Sequence, residues 1–295
     1  MDYSEFGSVL SFQRDICEMT KYVVAVSGGV DSVVLLDILA KKPELELIVA
    51  HFDHGIRADS HLDAELVADL AKKYGLPFVS KREELGPHAS EEKARDQRYA
   101  FLRSVAEENN AKLVTAHHAD DVIESIAINL TRGTGWRGLA VLDSDVVRPL
   151  TDMKKAETIN YAKEHNLKWR EDSTNKTDVY LRNRMRSKIA ELDEDTKRQL
   201  LALWSTQKSI KAEIEAEADK LIGKGPTYSR YFFSHLDERI GSELLRHIVK
   251  WRLTGPQRVK ALHAIKTFLP SKTYHAGWGI EIRFTPRNFT IKLIK

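Results

Sequence analysis

The stretch Lys21-Tyr-Val-Val-Ala-Val-Ser-Gly-Gly-Val-Asp-Ser32 joins a β-branched apolar run to an abrupt Ser-Gly-Gly turn. Apolar residues then recur with helical spacing from Val33 to Leu39. This order predicts a buried strand, a tight glycine turn and a helix N-terminus. Adjacent glycines let the backbone approach a ligand closely, and free N–H groups at a helix N-terminus favour an anion. We therefore expect an anion to bind at this turn.

Polar side chains of the same turn add to this prediction. Ser27 and Ser32 supply hydroxyl donors, and Asp31 supplies a carboxylate that can hold Mg²⁺ beside phosphate. The alternative is an ordinary strand-to-helix turn, which Gly-Gly alone would favour. The complete Ser-Gly-Gly-X-Asp-Ser motif is more specific, and it is not a Walker P-loop because no Gly-Lys-Ser/Thr follows.

Strands are predicted to alternate with helices over the first half of the chain. Further strands are expected at Leu45–Phe52, Pro77–Ser80, Lys112–Ala116 and Val146–Val147. This alternation predicts an α/β fold, with a mostly parallel sheet and helices on both faces. Ligands of such sheets bind beyond the carboxyl ends of the strands.

Polar clusters follow two more of these strands, at His51–Arg57 and His117–Glu124. Asp121 and Glu124 are three residues apart on a predicted helix, so they share a face. Paired carboxylates near an anion site suit Mg²⁺, a catalytic base or the capture of an ammonium group. For an isolated cluster, the alternatives are that the acids cap the helix and that the histidine is a hydrogen-bonded residue at the end of a strand. We favour a functional site because the clusters share a sheet edge with the glycine turn.

Composition indicates a cytoplasmic enzyme without membrane spans or a disulfide framework. The chain has 295 residues, one cysteine (Cys17), 42% hydrophobic residues and a net charge of +3. From Leu221 onward, 14 Lys and Arg stand against 4 Asp and Glu, a net of +10, so the first 220 residues carry −7. A basic module behind a near-neutral domain suggests a polyanionic partner, although a solvated surface would have the same composition.

Two domains are expected, a catalytic domain at 1–205 and a connecting helix with a basic α+β domain at 206–295. The second contains predicted helices at Ser242–Leu253 and Pro256–Leu269 and a closing hairpin that turns at Thr285–Asn288. Thr151 or Asp152 is expected to cap an earlier helix that reaches His165.

The Ser-Gly-Gly-Val-Asp-Ser turn resembles the pyrophosphate loop (PP-loop) of the N-type ATP pyrophosphatases, an adenine nucleotide alpha hydrolase-like superfamily. Further motifs in order are His-Phe-Asp-His-Gly-Ile-Arg, Ala-Arg-Asp-Gln-Arg-Tyr, Thr-Ala-His-His-Ala-Asp-Asp, Arg-Gly-Thr-Gly-Trp-Arg-Gly-Leu, Glu-Asp-Ser-Thr-Asn and Arg-Asn-Arg-Met-Arg. From about Tyr22 to Arg186 this set resembles the bacterial tRNA(Ile)-lysidine synthetases, in their short form with one C-terminal domain. Lys154-Lys155 stands where an arginine is common in that family.

The resemblance implies a ligase that uses ATP to join L-lysine to the wobble cytidine of a CAU anticodon in tRNA(Ile). ATP binding is expected at Ser27, Gly28, Gly29, Val30, Asp31, Ser32, His51, Asp53 and His54. Catalytic roles are expected for Asp31 (also the Mg²⁺ ligand), His117, Asp121, Glu124 and Arg95, with Asp121 and Glu124 also binding lysine. RNA contacts are expected at Arg98, Arg132, Arg137, Arg182, Arg184, Arg186, Arg246, Lys250, Arg252, Arg258 and Lys260.

Some choices stay open at this level. Arg95 or Arg98 can steady the α-phosphate or the cytosine, and the sequence does not choose between them. A tRNA thiolase with the same ATP loop is the nearest alternative, although its usual paired cysteines are missing from a chain with one cysteine. A non-catalytic RNA-binding protein is a further alternative. The sequence also leaves open whether the chain forms a homodimer.

Overall fold

The structure is a computed structural model that describes residues 21–56, 59–86, 91–171, 181–223 and 225–294. Cys17, Arg57 and most of the Glu-Asp-Ser-Thr-Asn motif lie outside the described residues. The chain divides into two compact units, Met1–Lys208 and Ser209–Lys295. Within the described ranges, no helix is both long enough and apolar enough to cross a membrane.

The first unit is built on a parallel sheet of four strands in the order β3-β2-β1-β4. These strands are β1 (Lys21–Ala25), β2 (Glu46–Asp53), β3 (Phe78–Arg82) and β4 (Lys112–Val114). On β1, Val24 is paired with Val49 on one side and with Val114 on the other. The predicted strand at Val146–Val147 is reduced to one parallel bridge between Val114 and Val147. The parallel sheet confirms the predicted fold class.

Helices pack on both faces of this sheet. Described helices of the first unit are α1 (Val30–Ala40), α2 (His61–Lys73), α3 (Glu91–Glu108), α4 (Ala119–Thr131), α5 (Lys155–Glu164), α6 (Leu181–Ala190) and the start of α7 (Glu194–Ile222). Val23 and Val24 are fully buried on opposite faces of β1, because side chains alternate along a strand. Val24 packs in a core with residues of α1, α2 and α5, whereas Val23 packs with Leu102 and Val105 of α3.

Helix α4 is fixed by two small apolar clusters on the remaining helices. Ile126 packs with Trp204 of α7, whose ring N–H donates to the Val141 carbonyl at 2.8 Å. Ile123 packs with Met185 and Ile189 of α6. These contacts set the orientation of the helix that carries Asp121 and Glu124.

The predicted cap of α5 was wrong. This helix begins at Lys155, and the Lys154 N–H donates to the Glu157 carboxylate at 2.6 Å. The Thr151 hydroxyl instead donates to the Arg148 carbonyl at 3.0 Å. The chain therefore completes a turn before the helix starts.

Helices of the second unit pack against an antiparallel sheet in the order β5-β8-β7-β6. The end of α7 belongs to this unit. It is followed by β5 (Thr227–Ser229), α8 (Arg230–His235), α9 (Glu238–Val249), α10 (Gly255–Thr267), β6 (Thr273–Gly277), β7 (Ile280–Phe284) and β8 (Asn288–Leu293). Phe233, Leu245, Leu262, Ile282 and Phe289 are almost completely buried in its core. The hairpin of β7 and β8 confirms the predicted turn at Thr285–Asn288, whereas β5 and β6 were not predicted.

Helix α9 begins and ends four residues earlier than predicted. Asp237 caps it by accepting the Arg239 N–H at 2.9 Å, and the helix ends at Val249. Lys250 follows with φ +55°. Lys250 therefore lies beyond the helix that carries Arg246, although the sequence predicted a helix that included both.

Candidate functional site

A cavity of about 690 Å³ lies beyond the carboxyl ends of β1, β2 and β4. It lies at the sheet edge where ligands of parallel α/β sheets bind. The predicted site residues that line it are Ser27, Gly29, Val30, Asp31, Ser32, His51, Asp53, His54, Arg98, His117 and Asp121. The three polar clusters found in the sequence thus share one cavity.

The glycine turn at its base is held by its own polar groups. The Ser27 N–H donates to the Ser32 hydroxyl at 3.1 Å, and that hydroxyl donates to the Gly29 carbonyl at 2.8 Å. Gly28 has φ +92°, a conformation that side chains with a Cβ rarely adopt. Hydrogen bonds within the turn therefore stabilise its conformation.

Arg170, which the sequence analysis did not select, fastens this turn. Its backbone N–H donates to the Gly28 carbonyl at 3.0 Å. Its guanidinium donates to Asp63 and to Asp59, each at 2.7 Å. A Cβ added to Gly28 would lie 3.4 Å from the Asp63 Cβ, so the turn and α2 are in close contact. No local pattern marks Arg170, because its partners are distant in sequence.

The Asp31 carboxylate forms an ion pair with the Lys155 side chain. Its two carboxylate oxygens lie 2.8 and 2.6 Å from the Lys155 ammonium nitrogen, and one of them accepts the Thr158 hydroxyl at 2.9 Å. Lys155 and Thr158 are on α5, which α1 packs against. The side chain of Asp31 is 26% exposed, so this ion pair faces the cavity.

The start of α4 adds more carboxylates. Asp121 accepts the His118 N–H at 3.0 Å, and Asp120 accepts the Lys155 N–H at 2.7 Å. The Nε2 of His118 lies 3.4 Å from Asp121 and 3.9 Å from Asp31. The sequence analysis selected His117, which lines the cavity and contacts the Thr115 hydroxyl at 2.9 Å. Its neighbour His118 is the histidine that lies between the two carboxylates.

Glu124 has different surroundings from Asp121. It is only 2% exposed and does not appear among the residues that line the cavity. Its carboxylate accepts the Arg186 Nε–H at 2.8 Å. These two residues, which were predicted to bind lysine and RNA respectively, form an ion pair with each other. Neither of them lines the cavity.

Strand β2 contributes two buried polar residues. The Nδ1 of His51 lies 2.8 Å from the Val26 carbonyl, so Nδ1 donates to it. Burial raises the pKa of Asp53, but the Gly55 N–H and the Arg82 guanidinium outweigh it and hold that pKa below its ordinary value. Asp53 is therefore a carboxylate at neutral pH.

The predicted arginines of the first unit have varied positions. Arg95 and Arg98 lie over the Tyr99 ring at 4.9 and 5.7 Å, and of these two only Arg98 lines the cavity. Arg132 is exposed at the end of α4, and Arg137 lies over the Trp136 ring at 4.6 Å. The side chains of Arg182 and Arg184, on α6, lie outside the described residues.

The basic residues selected in the second unit also differ in environment. Arg258 donates to the Leu253 carbonyl at 2.6 Å, and Arg246 lies 3.7 Å from Glu243. Lys250 and Lys260 are exposed, and Arg252 is half-buried. Arg258 therefore has a structural contact in addition to its predicted role.

Comparisons with known proteins agree with this fold. The sequence model of the PP-loop domain family matches residues 6–192. A tRNA(Ile)-lysidine synthase of Rickettsia bellii is 33% identical over 271 residues, which is 85% of this chain and 63% of that protein. One from Solibacter usitatus is 40% identical over 172 residues, 56% of this chain and 39% of that protein. The chain thus spans less than two thirds of the length of these relatives.

Among solved structures, a U34-tRNA thiolase from Methanococcus maripaludis with its [4Fe-4S] cluster is similar in fold. Its TM-score is 0.56 at 16% identity, covering 69% of this chain and 79% of that one. This likeness concerns the fold alone. The match of the family model extends over more than half of the chain and includes the glycine turn, the parallel sheet and the cavity at its edge. The chain belongs to the PP-loop domain family.

Proposed function

We propose that the chain is an ATP-dependent ligase that joins L-lysine to the wobble cytidine of the CAU anticodon of tRNA(Ile). The product, lysidine, changes the codon that this tRNA reads from AUG to AUA. The observation that carries the proposal is the cavity that joins the glycine turn to the carboxylates of Asp31 and Asp121. The relatives named tRNA(Ile)-lysidine synthase support the choice of substrates.

The first step is adenylation of the cytidine. The cytosine carbonyl oxygen attacks the α-phosphate of ATP, a new P–O bond forms, and pyrophosphate leaves. Negative charge on the phosphates is stabilised by N–H groups of the glycine turn, by the Ser32 hydroxyl and by the Lys155 ammonium. Lys155 lies 2.6 Å from Asp31, so it is already held at the cavity wall.

The donor chemistry at Asp31 also fits Mg²⁺. Nucleotide-bound Mg²⁺ usually takes only one or two protein carboxylates, with phosphates and water as its other ligands. Asp31 already binds the Lys155 ammonium. Asp121 is close to Asp31, since the His118 Nε2 lies 3.9 Å from Asp31 and 3.4 Å from Asp121. Among the described residues no cluster of three or more metal-binding side chains occurs. Asp31 would hold the ion, which would neutralise phosphate charge when bound.

The second step replaces AMP by lysine. The ε-amine of lysine attacks the activated carbon, a C–N bond forms, and AMP leaves with the former carbonyl oxygen. The amine must lose a proton before it attacks, and Asp121 or His117 at the cavity wall can accept it. Glu124 is not among the residues that line the cavity, and one oxygen of its carboxylate accepts the Arg186 Nε–H.

A direct test combines the purified chain with ATP, L-lysine and an unmodified tRNA(Ile) transcript. We expect pyrophosphate release that depends on the tRNA and a tRNA mass increase that depends on lysine. Replacing the wobble cytidine by uridine should abolish the mass increase. Thiolation of the tRNA in the presence of a sulfur donor, without incorporation of lysine, would favour the thiolase alternative.

The variant Asp31→Asn tests the site itself, since it removes the charge that holds a cation at the phosphates. We expect pyrophosphate release to fall by several orders of magnitude in a folded protein. Asp69→Asn is the matched control, because Asp69 is exposed on α2 and does not line the cavity. Wild-type rates in Asp31→Asn would remove Asp31 from the mechanism.

A further inference from the structure

An open groove on the second unit lies between α8 and the turn that joins β7 to β8. Six of its residues matter here: Ser229, Tyr231, Ser234, His235, Arg287 and Asn288. No aspartate or glutamate is present among the described residues that line it. The groove therefore combines hydroxyl, amide, aromatic and cationic groups without a carboxylate that would repel an anion.

Tyr231 gives this groove an aromatic platform. Its side chain is 74% exposed, although it belongs to a regular helix. One of its neighbours is the His235 ring, with ring centroids 4.1 Å apart, and the Nδ1 of His235 lies 2.8 Å from the Tyr231 carbonyl. The two rings support each other, and most of the tyrosine surface remains open to solvent. A flat ligand can stack on such a ring.

The walls of the groove are held by the fold. The Arg230 N–H donates to the Arg287 carbonyl at 2.9 Å, which joins α8 to the hairpin turn. The Arg230 guanidinium donates to the carbonyls of Ile265 and Phe268. Phe233 and Phe289 pack edge to face below it, with centroids 5.1 Å apart. Arg230 is thus committed to the fold, whereas Arg287 is exposed on the turn.

A ligand that matches these groups must be anionic and must carry a flat ring. A nucleotide has both properties, whereas an acidic peptide matches only the charge. The net charge of +10 from Leu221 onward favours a polyanion over an isolated anion. Aromatic stacking beside a cation is also how proteins bind single-stranded nucleic acid.

We propose that this groove binds one unpaired nucleotide of an RNA, with the base on Tyr231 and the phosphate beside Arg287. The inference rests on the proposed function, which makes a tRNA the partner. It adds a site in the second unit that is separate from the cavity of the first unit.

The test measures binding of the full chain to a fluorescently labelled tRNA(Ile) transcript at several salt concentrations. Tyr231→Ala should raise Kd about 5-fold to 150-fold, because one base–aromatic stack is lost. Tyr231→Phe should keep the wild-type affinity. Trp278→Ala is the matched control, since Trp278 is an aromatic of the same unit with 71% exposure outside the groove.

Arg287→Gln is an independent variant that does not touch the aromatic platform. It should lower the slope of log affinity against log salt by up to about one unit. Arg239→Gln is its control, because the Arg239 side chain is 97% exposed in the same unit and lies outside the groove. A short single-stranded RNA should compete for the wild-type groove better than a blunt RNA duplex of the same length.

Unchanged RNA affinity in both Tyr231→Ala and Arg287→Gln would overturn the proposal. An acidic protein segment would then be the remaining candidate ligand of the groove. Incorporation of lysine at saturating tRNA separates this result from the proposed function. That activity should persist in Trp278→Ala, the control outside the groove. A wild-type chain that binds RNA through the groove but lacks lysine-dependent activity would instead refute the ligase proposal.

Discussion

Asp121 and Glu124 lie one helical turn apart on α4 but face different neighbours. Asp121 lies at the cavity wall beside His118, whereas Glu124 is buried against Arg186. A carboxylate at the wall can bind the ammonium of an incoming lysine directly. The ion pair of Glu124 with Arg186 joins α4 to α6, and removal of Arg186 would leave a buried carboxylate uncompensated.

We therefore expect Asp121→Asn to weaken the use of lysine more than the use of ATP. A charge-assisted hydrogen bond contributes roughly 1.5–3 kcal/mol, which is about tenfold to over a hundredfold in apparent lysine affinity. The measurement compares the lysine dependence of product formation with the rate of pyrophosphate release. Should adenylation fail first while the lysine dependence stays normal, Asp121 would belong to the ATP site.

The same assay applied to Glu124→Gln separates a lysine contact from a packing role. If Glu124 acts through the ion pair, Arg186→Gln should reproduce its effect on lysine use. A loss of lysine use in Glu124→Gln alone would assign Glu124 to lysine directly.

Asp37 on α1 is a buried carboxylate outside the cavity. It accepts the Tyr74 and Tyr161 hydroxyls at 2.6 and 2.8 Å, and the Lys41 ammonium lies 2.7 Å away. Burial raises the pKa of Asp37, but these three partners outweigh it and hold that pKa below its ordinary value of 3.8. The cluster therefore stabilises the fold above the unfolded-state pKa, and this contribution is lost as pH falls through the folded-state pKa.

Asp37→Asn should accordingly lower the melting temperature at pH 7, by an amount equivalent to about 1–3 kcal/mol. The difference from wild type should begin to shrink as pH falls below the unfolded-state pKa of about 4, and should be lost below the lower folded-state pKa, where the wild-type carboxylate also becomes neutral. Thermal melts followed by circular dichroism across this range would measure it. A destabilisation that is independent of pH would show that the replaced acceptor oxygen, and not the charge, matters at this position.

At the scale of elements, Arg170 connects the end of the first unit's α/β core to the glycine turn. Arg170→Gln removes the charged contacts to Asp63 and Asp59 but keeps the backbone bond to Gly28. We expect a higher KM for ATP with a smaller change in kcat, because the turn loses support and the reacting groups are untouched. Isothermal titration with a non-hydrolysable ATP analogue would report the change in affinity.

Asp59→Asn is the control for this variant, since the Asp59 contact is the more exposed of the two. We expect it to have a milder effect than Arg170→Gln. An equal loss of kcat and kcat/KM in Arg170→Gln, without weaker ATP binding, would indicate a role in the chemical step instead.

Strands β1 and β2 could be predicted because each contains a β-branched apolar run that is followed by glycine or polar residues. The structure confirms strands β1 to β4 within a few residues of the predicted positions. In the second unit, β6 has few apolar residues, so alternation gave no signal for it. Helix ends were less predictable, since the start of α5 depends on Glu157 and the end of α9 depends on the backbone at Lys250.

The polar residues of the cavity could also be predicted, since motifs next to strand ends lie on one edge of a parallel sheet. Contacts between distant residues could not. The Lys155–Asp31 pair joins residues 124 apart, and the Arg170–Asp63 pair joins residues 107 apart. Such pairs arise from tertiary packing, and no local pattern encodes them.

At the scale of the whole molecule, charge is unevenly divided along the chain. The segment from Leu221 carries +10 and the rest carries −7. A single flipped cytidine offers little affinity for a whole tRNA, so phosphate contacts in the second unit should provide much of it. Lys250→Gln and Lys260→Gln should each lower the salt slope of tRNA binding by up to about one unit.

Arg258→Gln serves as a contrast in the same experiment. It donates to the Leu253 carbonyl, so its loss should lower the melting temperature as well as the salt slope. Lys250 and Lys260 have exposed side chains, and their variants should melt like the wild type. Unaltered salt slopes in all three variants would show that this charge is solvated surface.

The contact between Arg170 and Gly28 determines when the nucleotide site is completed during synthesis of the chain. The glycine turn is synthesised first, but its supporting partners on α5 and at Arg170 emerge from the ribosome more than one hundred residues later. Domains fold largely as their residues become available during synthesis. A nascent chain that stops before Lys155 can therefore carry all four sheet strands and still lack the finished nucleotide site. ATP retention by stalled chains of increasing length should begin only after Arg170 has left the ribosomal tunnel.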